Sequence, residues 1–147
     1  MTRTEVRSLI QSALNALSET VRFNSGRITE FNSNRTNEYP YVWLEPLSRG
    51  TDLRESDQAP FDAWACTLHF AKKDAVDSKP EEYEAIVDEC DLLAKKFTYQ
   101  LNQVVSGYKL ITVTDLTSDP FIHKHADDTT GVILSFTINS PDQTDVC

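Results

Sequence analysis

Between residues 4 and 21, apolar positions recur three and four apart: Val6, Leu9, Ile10, Ala13, Leu14, Leu17 and Val21. That spacing lays one apolar stripe along a helix, with Arg7, Gln11, Asn15 and Glu19 on its other faces. Thr2 or Thr4 can cap its start. A second stripe runs through Tyr83, Ile86, Val87, Cys90, Leu93, Ala94, Phe97, Leu101, Val104 and Val105 and predicts a helix over 80–105. Ser78-Lys79-Pro80-Glu81 opens it with a capping-box spacing, a proline in the first turn and an acidic start, and Ser106-Gly107 stops it.

Elsewhere the period is two. Tyr41 and Trp43 alternate with Val42 and Leu44 between Pro40 and Pro46, which confines a ladder to the middle of that stretch or to an edge. The clearest strand covers 61–72, with Trp64, Cys66, Leu68 and Phe70 on one face and Ala63, Ala65, Thr67 and His69 on the other. It carries no charge between Ala63 and Phe70 and is expected near the centre of a sheet. Strands are also predicted over 108–116, 120–126 and 132–139, and a weaker one over 27–32. Asn24-Ser25-Gly26, 32–37 and Asp119-Pro120 read as turns or loops, and Asp127-Asp128-Thr129-Thr130-Gly131 as a hairpin tip. Residues 48–60, with Leu53 as their one large apolar residue, read as a polar loop, and a loop of that length is usually functional. The expected fold is α+β: two amphipathic helices packed on one face of a mostly antiparallel sheet of four to six strands, in the order α-β-β-β-α-β-β-β. A single domain over 1–140 and a polar tail over 141–147 complete the expectation.

Composition narrows the classes. A chain of 147 residues is one ordinary domain, long enough to fold without a disulfide or metal. No long apolar run predicts a membrane span, and the charged start has no secretory pattern, so a protein made in a cytosol is expected. Cys66, Cys90 and Cys147 are too few and too dispersed for a disulfide framework. The net charge of −9 is uneven: residues 1–54 hold seven Arg against six carboxylates, and the remainder seven Lys against seventeen carboxylates. That distribution argues against a nucleic-acid-binding footprint.

Candidate chemistry is sparse. His123 and His125 share a strand face, with Asp127 and Asp128 close behind and His69 able to approach from another strand. A metal site would suit such a set, but no third ligand stands at a diagnostic spacing, and an exposed polar strand explains the pair as well. Cys66 and Cys90 fall on core faces, where packing is the default role of cysteine. Glu81, Glu82, Glu84, Asp88, Glu89 and Asp91 lie off the apolar stripe of the second helix and read as a solvated face that complements the helix dipole. No phosphate loop, nucleophile elbow or metalloprotease motif occurs, so neither an enzyme nor a cofactor is expected. Since both faces of the 41–44 strand are apolar and two helices cover only one sheet face, a neighbouring subunit could cover Tyr41 and Trp43.

This succession resembles the bacteriophage tail terminator (tail completion) family and similar head–tail neck proteins. It comprises the first helix, residues 23–32, Tyr39-Pro40-Tyr41-Val42-Trp43-Leu44, a long polar loop, the 64–70 strand, the 80–105 helix, and a closing hairpin from Phe121-Ile122-His123-Lys124-His125 to Gly131-Val132-Ile133-Leu134-Ser135-Phe136. The likeness spans nearly the whole chain, as pattern rather than catalytic signature. It implies a structural virion protein: a ring, typically six-fold, that caps the tail tube and contacts tube and neck (connector) proteins. DNA would pass through an acidic bore without specific binding. Interface contacts are then expected at Arg49, Asp52 and Arg54, at Asp127, Asp128, Thr129, Thr130 and Gly131, and at Tyr41 and Trp43. Another head–tail adaptor or baseplate subunit, and a small metal- or ligand-binding module, are the alternatives.

Overall fold

A computed structural model describes residues 1–27, 40–52, 61–74, 77–108, 111–124 and 129–141. The order of elements is α1 (Arg3–Asn15), β1 (Arg22–Ser25), β2 (Tyr41–Leu44), β3 (Ser48–Asp52), β4 (Phe61–Lys73), α2 (Pro80–Ser106), β5 (Thr112–Lys124) and β6 (Thr129–Pro141). The architecture is α+β, with two helices and a six-stranded, mostly antiparallel sheet among the described residues. Among the described residues four strands precede α2 and two follow it, where three and three were expected. No helix among the described residues is long and apolar enough to cross a membrane.

Both helices start where local chemistry directs. Thr2 caps α1 through a reciprocal box: Glu5 N–H donates to Thr2 Oγ1 at 3.2 Å, and Thr2 N–H donates to Glu5 Oε2 at 2.5 Å. At α2 the expected serine cap is replaced. Lys79 is the N-cap and makes no side-chain capping bond, Pro80 follows it, and Ser78 Oγ instead donates to Asp74 Oδ2 at 3.0 Å. Gly107 ends α2 at φ −74°, an ordinary right-handed conformation.

The sheet is organised by two 13-residue strands, β4 and β6, paired over their full length from Phe61↔Pro141 to Lys73↔Thr129. Each spans about 43 Å. The other edge of β4 is shared: β2 pairs with its upper half (Leu68–Ala71) and β3 with its lower half (Phe61–Ala65). Ser48–Asp52 is therefore strand and not the loop its polar composition predicts. Pairing with a long neighbour satisfies its backbone groups, and that overrides a weak intrinsic preference. β1 lies parallel to β2 and starts five residues earlier in the chain than the expected 27–32, most of which lies outside the described residues.

At the far side of the sheet, among the described residues, β5 pairs only with β6. It is one continuous strand where two were expected, and Pro120, read as a turn, sits inside it opposite Val132. A proline removes one ladder donor and is tolerated because β5 is an edge. Between Thr114 and Thr117, and again between Phe121 and Lys124, β5 spends one residue more than β6, a bulge each time. Asp115 takes φ 58° in the first, a left-handed conformation that aspartate accepts better than most residues.

One buried cluster joins Val6, Ile10 and Leu14 of α1 to Phe97 and Leu101 of α2 and to the alternating Trp64, Cys66, Leu68, Phe70 and Val132, Leu134, Phe136, Ile138. Phe97 sits at its middle, with ring centroids 5.8 Å from Phe70 and 5.9 Å from Phe136. The intervening residues of β4 and β6 belong to no part of that cluster. On their side, Tyr41, Trp43, Ala71 and Phe121 form a second, smaller cluster with Ile133 packed against it.

Candidate assembly surface

The aromatic pair of β2 is internal. Tyr41 and Trp43 are 1% and 2% exposed, their rings stack at 6.0 Å and 18°, and Trp43 Nε1–H donates to Gly26 O at 2.8 Å. The chain itself buries both rings, and Tyr41 and Trp43 are corrected from surface anchors to core. Thr129, Thr130 and Gly131 are corrected likewise. They are the first three residues of β6 and not a hairpin tip, with Thr129 and Thr130 buried. Thr130 Oγ1 donates to Asp74 Oδ2 at 2.9 Å. Gly131 lies between Ala71 and Phe121, so close to β4 that a Cβ would meet Phe70 O at 1.8 Å. Asp127, Asp128 and Arg54 lie outside the described residues, as do His125 and Cys147. Asp52 is the last residue of β3, opposite Phe61. Arg49 is exposed on β3, its guanidinium 5.9 Å from the Trp64 ring centroid; the Arg3 guanidinium lies 5.4 Å from that centroid.

The groups considered for chemistry are scattered or engaged. His69 is buried, its Nε2 3.2 Å from Glu45 Oε2 and its ring tilted against Phe121 at 6.1 Å. His123 lies on β5. Among the described residues, no group of three or more His, Cys, Asp or Glu could hold a metal. Burial pushes the Cys66 thiol up to about 12, against a smaller opposing effect of the Ile138 backbone bond. Burial also pushes Cys90 up to about 12, with Lys72 opposing and Glu89 and Asp91 reinforcing the rise. Neither thiol offers thiolate at neutral pH. A cleft of about 290 Å³ opens beside Cys90, and its charges answer one another: Lys72 pairs with Glu89 and Lys96 with Glu19.

Among the described residues, no strand pairs with the outer side of β5. Leu116 and Ile122 are 43% and 46% exposed, and each sits in one of the two bulges. A bulge re-aims the side chain it carries, and an edge strand presents unpaired N–H and C=O groups. Leu92 and Tyr99 are also exposed, on the outer face of α2. None of these four was singled out from sequence. A readable signal existed for two of them: Leu92 and Tyr99 fall off the Cys90-Ala94-Phe97-Leu101 stripe. For β5 the signal was Pro120 within an alternating run, which marks an edge as readily as a turn.

No protein-family model matches the chain, and no curated protein matches it either.

Proposed function

We propose that this chain is a structural virion subunit, a bacteriophage tail terminator whose copies form a ring, typically six-fold. The ring closes the tail tube and joins it to the neck proteins, while DNA passes through without specific binding. In this reading both helices cover one sheet face, and the free sheet edge is completed by another copy. The role needs no cofactor and no catalytic residue. The observation that carries it is β5: a 13-residue edge strand whose two bulges each expose an aliphatic side chain, Leu116 and Ile122. Natural proteins blunt long edges with prolines, charges and bulges. β5 has all three devices (Pro120, Asp115 and Asp119, two bulges), yet it keeps apolar side chains outward, which fits a specific partner better than a surface built only to repel. The acidic balance supports the same reading.

Light scattering over a wide concentration range, with negative-stain imaging, tests it. Rings with a central bore are expected, and added tail tubes should acquire a cap at one end. Ile122→Asp should abolish assembly while leaving the thermal transition in place. A monomer at every concentration, with and without tubes, refutes the proposal.

A further inference from the structure

We infer that head-to-tail contact between copies is specified by charge, the arginine end of α1 in one copy taking the acidic stripe of α2 in the next. The inference rests on the ring reading and adds the partner surfaces and their polarity.

The first surface gathers Arg3 and Arg7, one turn apart on α1, with Arg49 on β3. All three are exposed, and none has a carboxylate partner among the described residues. Arg3 and Arg7 border a cleft of about 240 Å³ together with Ser25, Gly26 and the 44–47 connection between β2 and β3. This places them beside the β1/β3 margin of the sheet. Arg3 and Arg49 both overlie Trp64, whose buried Nε1–H has no acceptor. The end thus gathers guanidinium donors against an aromatic ring, and Glu45, the carboxylate that lines the same cleft, is engaged by His69. An isolated guanidinium cluster repels itself, and a carboxylate is the group that fits its fork geometry.

The second surface is the stripe Glu81, Glu84, Asp88 and Asp91 on α2. These are spaced three and four apart and therefore share one flank of the helix. The flank is the one beside β5, since Ser118 Oγ donates to Asp91 Oδ1 at 2.9 Å. Among the described residues Glu81, Glu84 and Asp88 are exposed and carry no cationic partner, Asp91 lies 4.0 Å from Lys95 one turn on, and Glu89, on the opposite flank, is taken by Lys72. Glu84 and Asp88 repeat at the same four-residue rise as Arg3 and Arg7, about 6 Å, so two helices laid side by side bring the pairs together.

The surfaces occupy opposite margins of the sheet, β1/β3 and β5. Along the strands, Asp91 meets Ser118, which pairs with Leu134 opposite Leu68, four residues or about 13 Å along β4 from Trp64. One partner cannot satisfy both through a single two-fold contact, so the complementarity runs head to tail, the arrangement that closes rings. It also brings the exposed β5 of each copy toward the margin of its neighbour. A nucleic-acid phosphate is the other polyanion that could meet three arginines. The matched acidic stripe and the net charge of −9 favour a second copy.

A charge-swap experiment decides. Arg3→Glu/Arg7→Glu and Glu84→Lys/Asp88→Lys are each prepared in the full chain and followed by sedimentation at low salt, beside wild type and a 1:1 mixture of the two. Each variant alone should self-associate at least about tenfold more weakly than wild type, and the mixture should recover assembly. Wild-type assembly should weaken steadily with added salt. If the first variant loses its native circular dichroism, Arg7→Glu alone and the salt series replace it. Wild type that assembles while both variants assemble equally well overturns the inference but leaves the ring intact. Wild type that never assembles overturns both. Duplex DNA binding by wild type that disappears in Arg3→Glu/Arg7→Glu, with self-association unchanged, reassigns the arginines to nucleic acid and also overturns the inference.

Discussion

Gly131→Ala adds one carbon at the closest backbone approach in the sheet. The new Cβ would stand 1.8 Å from Phe70 O, 2.9 Å from Phe70 C and 3.1 Å from Ala71 Cα, where an ordinary contact begins at 3.4 Å. All three atoms are backbone of β4, so no side chain can swing aside. Relief requires β4 and β6 to part locally by roughly 1.6 Å, enough to lengthen the flanking ladder bonds beyond useful range. Two or three bonds at about 1 kcal/mol each, with about 1–3 kcal/mol for overpacking, give a loss of about 3–6 kcal/mol. That is a large share of the roughly 5–15 kcal/mol that holds a domain folded. Gly50→Ala is the matched control, since its Cβ would meet nothing nearer than Ala63 O at 3.9 Å, and its stability should stay within about 1 kcal/mol of wild type. Urea unfolding reads the difference: the Gly131→Ala midpoint should fall by about 2 M with the slope unchanged. A Gly131→Ala protein within about 1 kcal/mol of wild type would mean that Gly131 does not face Ala71, and the β4–β6 register would have to be redrawn.

Two further outcomes follow from the protonation chemistry. The backbone and hydroxyl bonds of Thr2 hold the Glu5 carboxyl below its ordinary value of 4.5, and the bond from Lys96 does the same for Glu19. The unfolded chain protonates these groups first, so their contribution is present above 4.5 and is lost as pH falls below it. Unfolding followed between about pH 6 and pH 3 should show that decline, and Glu5→Gln/Glu19→Gln should flatten it. In a Cys147→Ser background, native protein at about pH 8 should leave both remaining thiols unmodified by a thiol reagent, and denatured protein should react at both. Rapid labelling of native Cys66 or Cys90 would contradict their burial.

Periodicity along the chain was enough to locate both helices, the β4 strand and the α+β class, because each is a local pattern. A helix must turn its apolar residues to one side every 3.6 residues, and a strand alternates by two, whatever the rest of the chain does. Leu9 to Leu14 and Cys90 to Leu101 therefore declare themselves, and Trp64 to Phe70 does the same. What needed the tertiary structure was pairing. Ser48–Asp52 is polar and weakly disposed to any element, and it becomes a strand because β4 extends past β2 and leaves a margin to fill. Pro120 and Asp119 carry turn chemistry, and they become strand because an edge does not need the missing donor. The same non-local fact turned Thr129–Gly131 from tip to core and closed the aromatic face of Tyr41 and Trp43. The charges divide likewise. Their segregation into an arginine-bearing first third and an acidic remainder is written in the sequence. Only the folded sheet sets them on opposite margins, because position across a sheet depends on strand order, and strand order is decided by contacts between residues far apart in the chain.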